Sequence, residues 1–168
     1  MPPGRRRQDP ASSDRRRQLA ARTARTDVSN TLWACAKLGY RDSDLLRPLA
    51  EAAAALAPDM NAQGLANSLW ALEVLGCTGS AFRAGLEAMY GAALRRLRTP
   101  KEAEAFKPQH LSNILLALEG LQLRGKQSEL LAAAVAAECV RRLRAPKEAE
   151  AFKPQELSNI LLALEGLQ

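Results

Sequence analysis

The chain has 168 residues, 47% apolar and 25% charged, with a net charge of +6, a make-up expected of a soluble protein able to bury a sizeable core. Ala and Leu dominate while aromatic residues are only 4%, which favours helices over strands, and no apolar run approaches the ~18 residues of a bilayer-spanning helix. Three cysteines, Cys35, Cys77 and Cys139, have neither CxxC spacing nor an even count; they read as small buried apolar residues in a reducing compartment, not as a metal site or a disulfide framework.

The excess charge is confined to the start of the chain. Residues 1–26, MPPGRRRQDPASSDRRRQLAARTART, carry eight Arg against Asp9 and Asp14, so residues 27–168 hold sixteen basic and sixteen acidic residues and sum to zero. Pro, Gly, Ser and clustered Arg predict a disordered tail over residues 1–23, at least through its first eighteen or so residues. Three roles are open for it: an organelle transit segment, which its Arg and Ser favour and its two Asp and early PPG oppose, a basic nucleic-acid-binding arm, or a linker.

Beyond the tail the sequence is periodic. Residues 95–122 return as residues 141–168 with two changes in 28, Thr99 to Ala145 and His110 to Glu156. The period extends upstream through four cores: DVSNTLWACAKLG from Asp27, GLANSLWALEVLG from Gly64, HLSNILLALEGLQ from His110 and ELSNILLALEGLQ from Glu156. Their Asn residues, 30, 67, 113 and 159, are 37, 46 and 46 residues apart, the longer spacings arising from the TPKEAEAF and APKEAEAF stretches. A basic unit of roughly 37 residues is two helices and two turns. Such units hide their apolar faces only by stacking on like neighbours, so an all-α solenoid of antiparallel helix pairs is expected, with units starting near residues 24, 61, 107 and 153. Three units are full and the fourth stops at Gln168 before a second helix, as expected of a fragment or of an open end that needs a neighbour or a polar cap.

Within unit three the first helix is predicted to start near Lys107, with Pro108 at its first position. Leu111, Ile114, Leu115, Leu118 and Leu121 form its apolar stripe, as Leu65, Ser68, Leu69, Leu72 and Leu75 do in unit two. Gly39 and Gly76 should stop the first helices of units one and two; in unit three Gln122 takes that place, and Gly125 is expected to do the turning. Ser43, Ser80 and Ser128 are the expected N-caps of the second helices.

Opposite the apolar stripe, at about 100° per residue, runs a line that recurs in every unit. It comprises Thr26, Asn30, Trp33 and Lys37; Gln63, Asn67, Trp70 and Val74; Gln109, Asn113, Leu116 and Gly120; and Gln155, Asn159, Leu162 and Gly166. Stacked units would present these amides as a ladder able to hydrogen-bond bases, sugars or phosphates, with Trp33 and Trp70 available to stack on unpaired bases. The same Asn serves equally well to tie a neighbouring backbone, and the Trp pair to pack adjacent helices. Sequence choice would fall to positions that vary between units, Asp27, Gly64, His110 and Glu156 or Lys37, Val74, Gly120 and Gly166. Arg95, Arg96 and Arg98, and again Arg141, Arg142 and Arg144, end the second helices. There they either complement the helix dipole or contact phosphates.

The phrase FKPQELSNILLALEGL and its variants SNTLWACAKLG and ANSLWALEVLG resemble the octotricopeptide repeats of green-algal organelle RNA factors and the Leu-rich helical repeats of FAST-kinase-like and RAP-domain proteins. The shared pattern, Leu-Ser-Asn-x-Leu-Trp-Ala-Leu-x-x-Leu-Gly, covers roughly residues 24–168. The resemblance implies a helical-repeat protein of chloroplast or mitochondrion that binds single-stranded RNA and acts in transcript processing, stability or translation. Leu116 and Leu162 stand where the pattern has Trp, and no RAP-like domain follows, so no effector activity is carried over. A protein-interaction scaffold is the rival expectation. No enzyme, cofactor or metal site is expected: the one histidine, His110, reads as a solvated surface residue, and no nucleophile elbow or phosphate-cradling loop is present.

Overall fold

The computed structural model describes the backbone of residues 10–167 and the side chains of residues 23–167. Every regular element among them is helical, and three full helix pairs account for most of the chain. The pairs are α1 (Pro10–Leu38) with α2 (Ser43–Leu56), α3 (Ala62–Val74) with α4 (Ser80–Leu97), and α6 (Pro108–Leu121) with α7 (Lys126–Leu143). A last helix, α9 (Pro154–Gly166), follows. The inserted stretches form one-turn helices, α5 (Pro100–Ala103) and α8 (Pro146–Ala149). Each anchors the chain through an aromatic residue that follows it, Phe106 or Phe152, both buried.

First helices pack on first helices in chain order, α1 on α3, α3 on α6 and α6 on α9, while α2, α4 and α7 pack likewise into a second layer. The core lies between the layers and is the predicted stripe: Leu65, Leu69 and Leu72 from α3, and Leu111, Ile114, Leu115 and Leu118 from α6, close on Met89, Tyr90, Leu131 and Val135. Each such side chain gains about 1.5 to 3 kcal/mol on burial. Cys35, Cys77 and Cys139 are buried free thiols within this core. No helix among the described residues is long and apolar enough to cross a membrane.

Helix boundaries follow local chemistry, in places by other residues than the sequence suggested. Pro108 opens α6 as expected. Gly39 and Gly76 take φ of 66° and 70° and end α1 and α3. Behind them Tyr40 and Cys77 donate their N–H groups to the Cys35 and Leu72 carbonyls at 2.9 Å each, which closes the turn without a Cβ penalty. In unit three the left-handed residue is Gln122 itself, at φ 49°, rather than Gly125, which precedes α7 in an extended conformation. The expected serine caps are displaced. Asp42 caps α2 through its carboxylate, bonded to the Asp44 N–H at 2.9 Å, which leaves Ser43 as the first helical residue. Gly79 and Gly125 precede α4 and α7. Ser128 lies inside α7, donating its hydroxyl to the Gly125 carbonyl at 2.8 Å.

The tail also departs from expectation. Residues 1–9 lie outside the described residues, but helix α1 already begins at Pro10, so the expected disorder does not extend over residues 10–23. Past Pro10 the segment is rich in Ala, Arg and Gln, which are strong helix formers, and this propensity outweighs the charge clustering.

Candidate nucleic-acid interface

The predicted line survives as a shared surface along the first-helix layer. Gln63, Gln109, Gln155 and Asn30 are exposed, and Asn67, Asn113 and Asn159 are half-buried because helices flank them. Gln155 and Asn159 satisfy each other, amide to carbonyl, at 2.9 Å. Between α1 and α3 the surface deepens into an open cleft of about 360 Å³ lined by Arg25, Asn30, Asp59, Asn61, Gln63 and Asn67, among other polar groups. Asn61 is partly committed there, since its side-chain oxygen accepts the Gly64 N–H at 2.7 Å and caps α3.

On the same two helices Trp33, 43% exposed, and the half-buried Trp70 bracket one cation. The Lys37 ammonium lies 5.6 Å from the Trp33 ring centre and 6.0 Å from that of Trp70. Both distances are within reach of the ring quadrupoles, an attraction of about 0.5 to 1 kcal/mol at an exposed site. The indoles are thus brought together by helix stacking, thirty-seven residues apart in sequence, with Trp33 presenting the freer face.

Further along the layer the line changes character. Gly120 and Gly166 are covered by the side chains of Glu73 and Glu119: a Cβ at Gly120 would meet the Glu73 carboxylate oxygen at 2.5 Å, and one at Gly166 would meet the Glu119 Cγ at 2.7 Å. Burial, and then the nearby Glu119 charge, raises the Glu73 carboxyl above its ordinary range. These two acids escaped the sequence reading, although each stands one residue before its unit's ladder position. They make the α3–α9 end of the ladder less hospitable to phosphates than the α1–α3 end.

The arginine clusters divide. Arg142 is buried, with its guanidinium donating to the Phe106 carbonyl at 2.6 Å, the Ala103 carbonyl at 2.8 Å and Glu138 at 2.6 Å. It ties α7 to the α5–α6 connection and has no donor to spare for a phosphate. Arg141 pairs with Glu138 at 2.9 Å and Glu148 at 3.0 Å, and Arg96 with Glu102 at 2.9 Å and the Pro58 carbonyl at 3.3 Å. Only Arg95, Arg98 and Arg144 are exposed without an ion pair among the described residues. The inserted acids, which the sequence placed in a solvated connector, account for much of this pairing.

Two expected specificity positions are also structural. His110 is buried, not solvated: its Nδ1 accepts the Lys107 N–H at 3.2 Å, and burial lowers its pKa, helped by the Lys107 charge and opposed by a bond to the Ala105 backbone. In the sister copy Glu156 accepts the Lys153 N–H at 2.9 Å. Histidine and glutamate therefore do the same job three residues into the helix, closing an orphan donor. Gly64 is buried beside Asn61 and Met60. Two further arginines were missed: Arg41 donates to the Val74 and Leu75 carbonyls at 3.0 and 3.4 Å, and Arg124 to those of Gly166 and Leu167 at 2.9 and 3.3 Å. Each clasps the C-terminus of the next unit's first helix, where a cation meets the negative end of the dipole. Comparison of the chain with profiles of known protein families, with curated proteins and with solved structures returns no match.

Proposed function

We propose that the protein is a right-handed α-solenoid of the octotricopeptide kind that binds single-stranded RNA in an organelle. The contact surface is the α1–α3 cleft with its Trp33–Lys37–Trp70 cluster. The observation that carries this reading is the adjacency of amides and aromatics. Asn30, Gln63 and Asn67 line one 360 Å³ cleft, and two indoles with a cation between them lie on the same pair of helices. Amides pair with base edges or sugars, an open indole stacks on an unpaired base, and Arg25 and Lys37 meet phosphates.

Fluorescence anisotropy with a labelled single-stranded RNA pool, titrated in salt, tests it. Two phosphate contacts on a single strand give a slope of about −1.4 in log K against log salt. Trp33→Ala, at an exposed site, should weaken binding by about 1 to 3 kcal/mol. A chain that retains no RNA in dilute buffer sinks the reading. The rival, a protein-interaction scaffold, is favoured by the neutral charge of residues 27–168 and by Glu73 and Glu119 over the ladder. It predicts no RNA retention at any salt.

A further inference from the structure

Every interface in the first-helix layer joins two different faces. One face of each helix looks back to the preceding unit: it carries Thr31, Ala34 and Leu38 in α1, Ser68, Ala71 and Leu75 in α3, and Ile160, Ala163 and Leu167 in α9. The other looks forward: it carries Ser112, Leu115 and Glu119 in α6 and Ser158, Leu161 and Glu165 in α9. Burial separates the two faces. Leu75 and Leu121 are buried by the helices before them, whereas Leu38 in α1 is 82% exposed. Leu115 is fully buried, whereas its copy Leu161 in α9 is 69% exposed. Among the described residues, then, α1 has an uncovered backward face and α9 an uncovered forward face, and these are the two halves of the interface repeated three times between them.

The register of that interface is written in one neighbouring pair of positions. Glu73 reaches over Gly120 and Glu119 over Gly166, while the corresponding pair between α1 and α3 is Ala36 and Val74. A long side chain meets glycine and a short one meets valine. The position in α9 that would reach forward is Glu165, exposed; the position in α1 that would receive it is Lys37, also exposed. Opposite charges thus occupy the one place where the internal pairs are fitted by size. The second layer offers matching surface: α7 exposes Leu130, Ala133, Ala137 and Val140 at 3, 4 and 3 residue spacing, one face of a helix, and α2 exposes Leu45.

We propose that the forward face of α9 and α7 takes the backward face of α1 and α2 of a second copy of this chain. The head-to-tail contact continues the internal stacking and is set in register by Glu165 against Lys37. Because the two faces differ, the contact is heterologous and propagates into open chains rather than closing as a symmetric dimer. The inference is independent of RNA binding.

Sedimentation velocity of the chain without RNA, at concentrations up to about 100 µM, tests it. The expected result is growth beyond a dimer with concentration. Glu165→Lys and Lys37→Glu, each alone, set like charges face to face and should raise the apparent Kd about tenfold or more. An equimolar mixture of the two variants restores opposite charges at every junction and should restore assembly. Circular dichroism of each variant checks that both remain folded. A wild-type chain that stays monomeric would overturn the proposal and leave the α9 face to a different protein. Assembly indifferent to both charge reversals, or not recovered in the mixture, would overturn it equally.

Discussion

Residues 95–122 and 141–168 are the same sequence but for two positions, yet they live in different surroundings. Leu115 is fully buried and Leu161 is 69% exposed. Arg142 is enclosed, with every arm of its guanidinium bonded, while its copy Arg96 is half-buried and leaves its Nε without a partner. Burial in this array is conferred by the neighbouring unit rather than by the segment's own pattern. The energetic weight of a residue therefore depends on which copy it sits in.

The sharpest way to break that comparison is to truncate the equivalent leucines. Leu115→Ala should lower unfolding stability by about 2 to 5 kcal/mol, as for a buried leucine whose cavity cannot fully collapse, whereas Leu161→Ala should change it by about 0.5 kcal/mol or less. Parallel urea titrations of the two variants measure both, and equal losses would mean that α9 is covered in solution. Next in size are the arginines. Arg142→Ala leaves Glu138 and two backbone carbonyls without their donor and should cost about 3 kcal/mol, against about 1 kcal/mol for Arg96→Ala, whose bonds are more exposed.

The smallest effect concerns His110 and Glu156. Because the folded His110 has a lowered pKa, the unfolded chain binds its proton first as pH falls. Its contribution to stability is thus complete above the ordinary histidine value of about 6.5 and declines as pH drops through and below it. Protonation also removes the Nδ1 lone pair that accepts the Lys107 N–H. His110→Glu, which copies the sister unit, should flatten the slope of stability against pH between about 7 and 5. Denaturation midpoints across that range, wild type against variant, decide it.

Much of the fold was legible because each local signal repeats. The leucine spacing, Pro108 at a helix start and Gly39 and Gly76 at helix ends all stand in the sequence as they stand in the structure. What was not legible depends on the neighbour. Arg142 reads as a solvated helix-end cation until the α5 connection folds beneath it, and His110 reads as a surface residue until the same connection covers it. Ser80 reads as a better cap than Gly79, but the turn before α4 needs φ of 90° at Gly79, which only glycine adopts without strain. For the candidate site, helical periodicity identified the ladder line correctly. The cleft at its α1–α3 end and the two glutamates at the other depend on which units lie side by side.

The two clasping arginines have a mechanical consequence. Arg41 spans from unit one to α3 and Arg124 from unit three to α9, but the corresponding residue of unit two is Thr78, too short to reach across. No side-chain hydrogen bond among the described residues bridges α3 and α6, whose seam is held by apolar packing alone. The molecule is in this sense two buckled pairs joined by a greased seam, and a pull along its length would let that middle seam slide first.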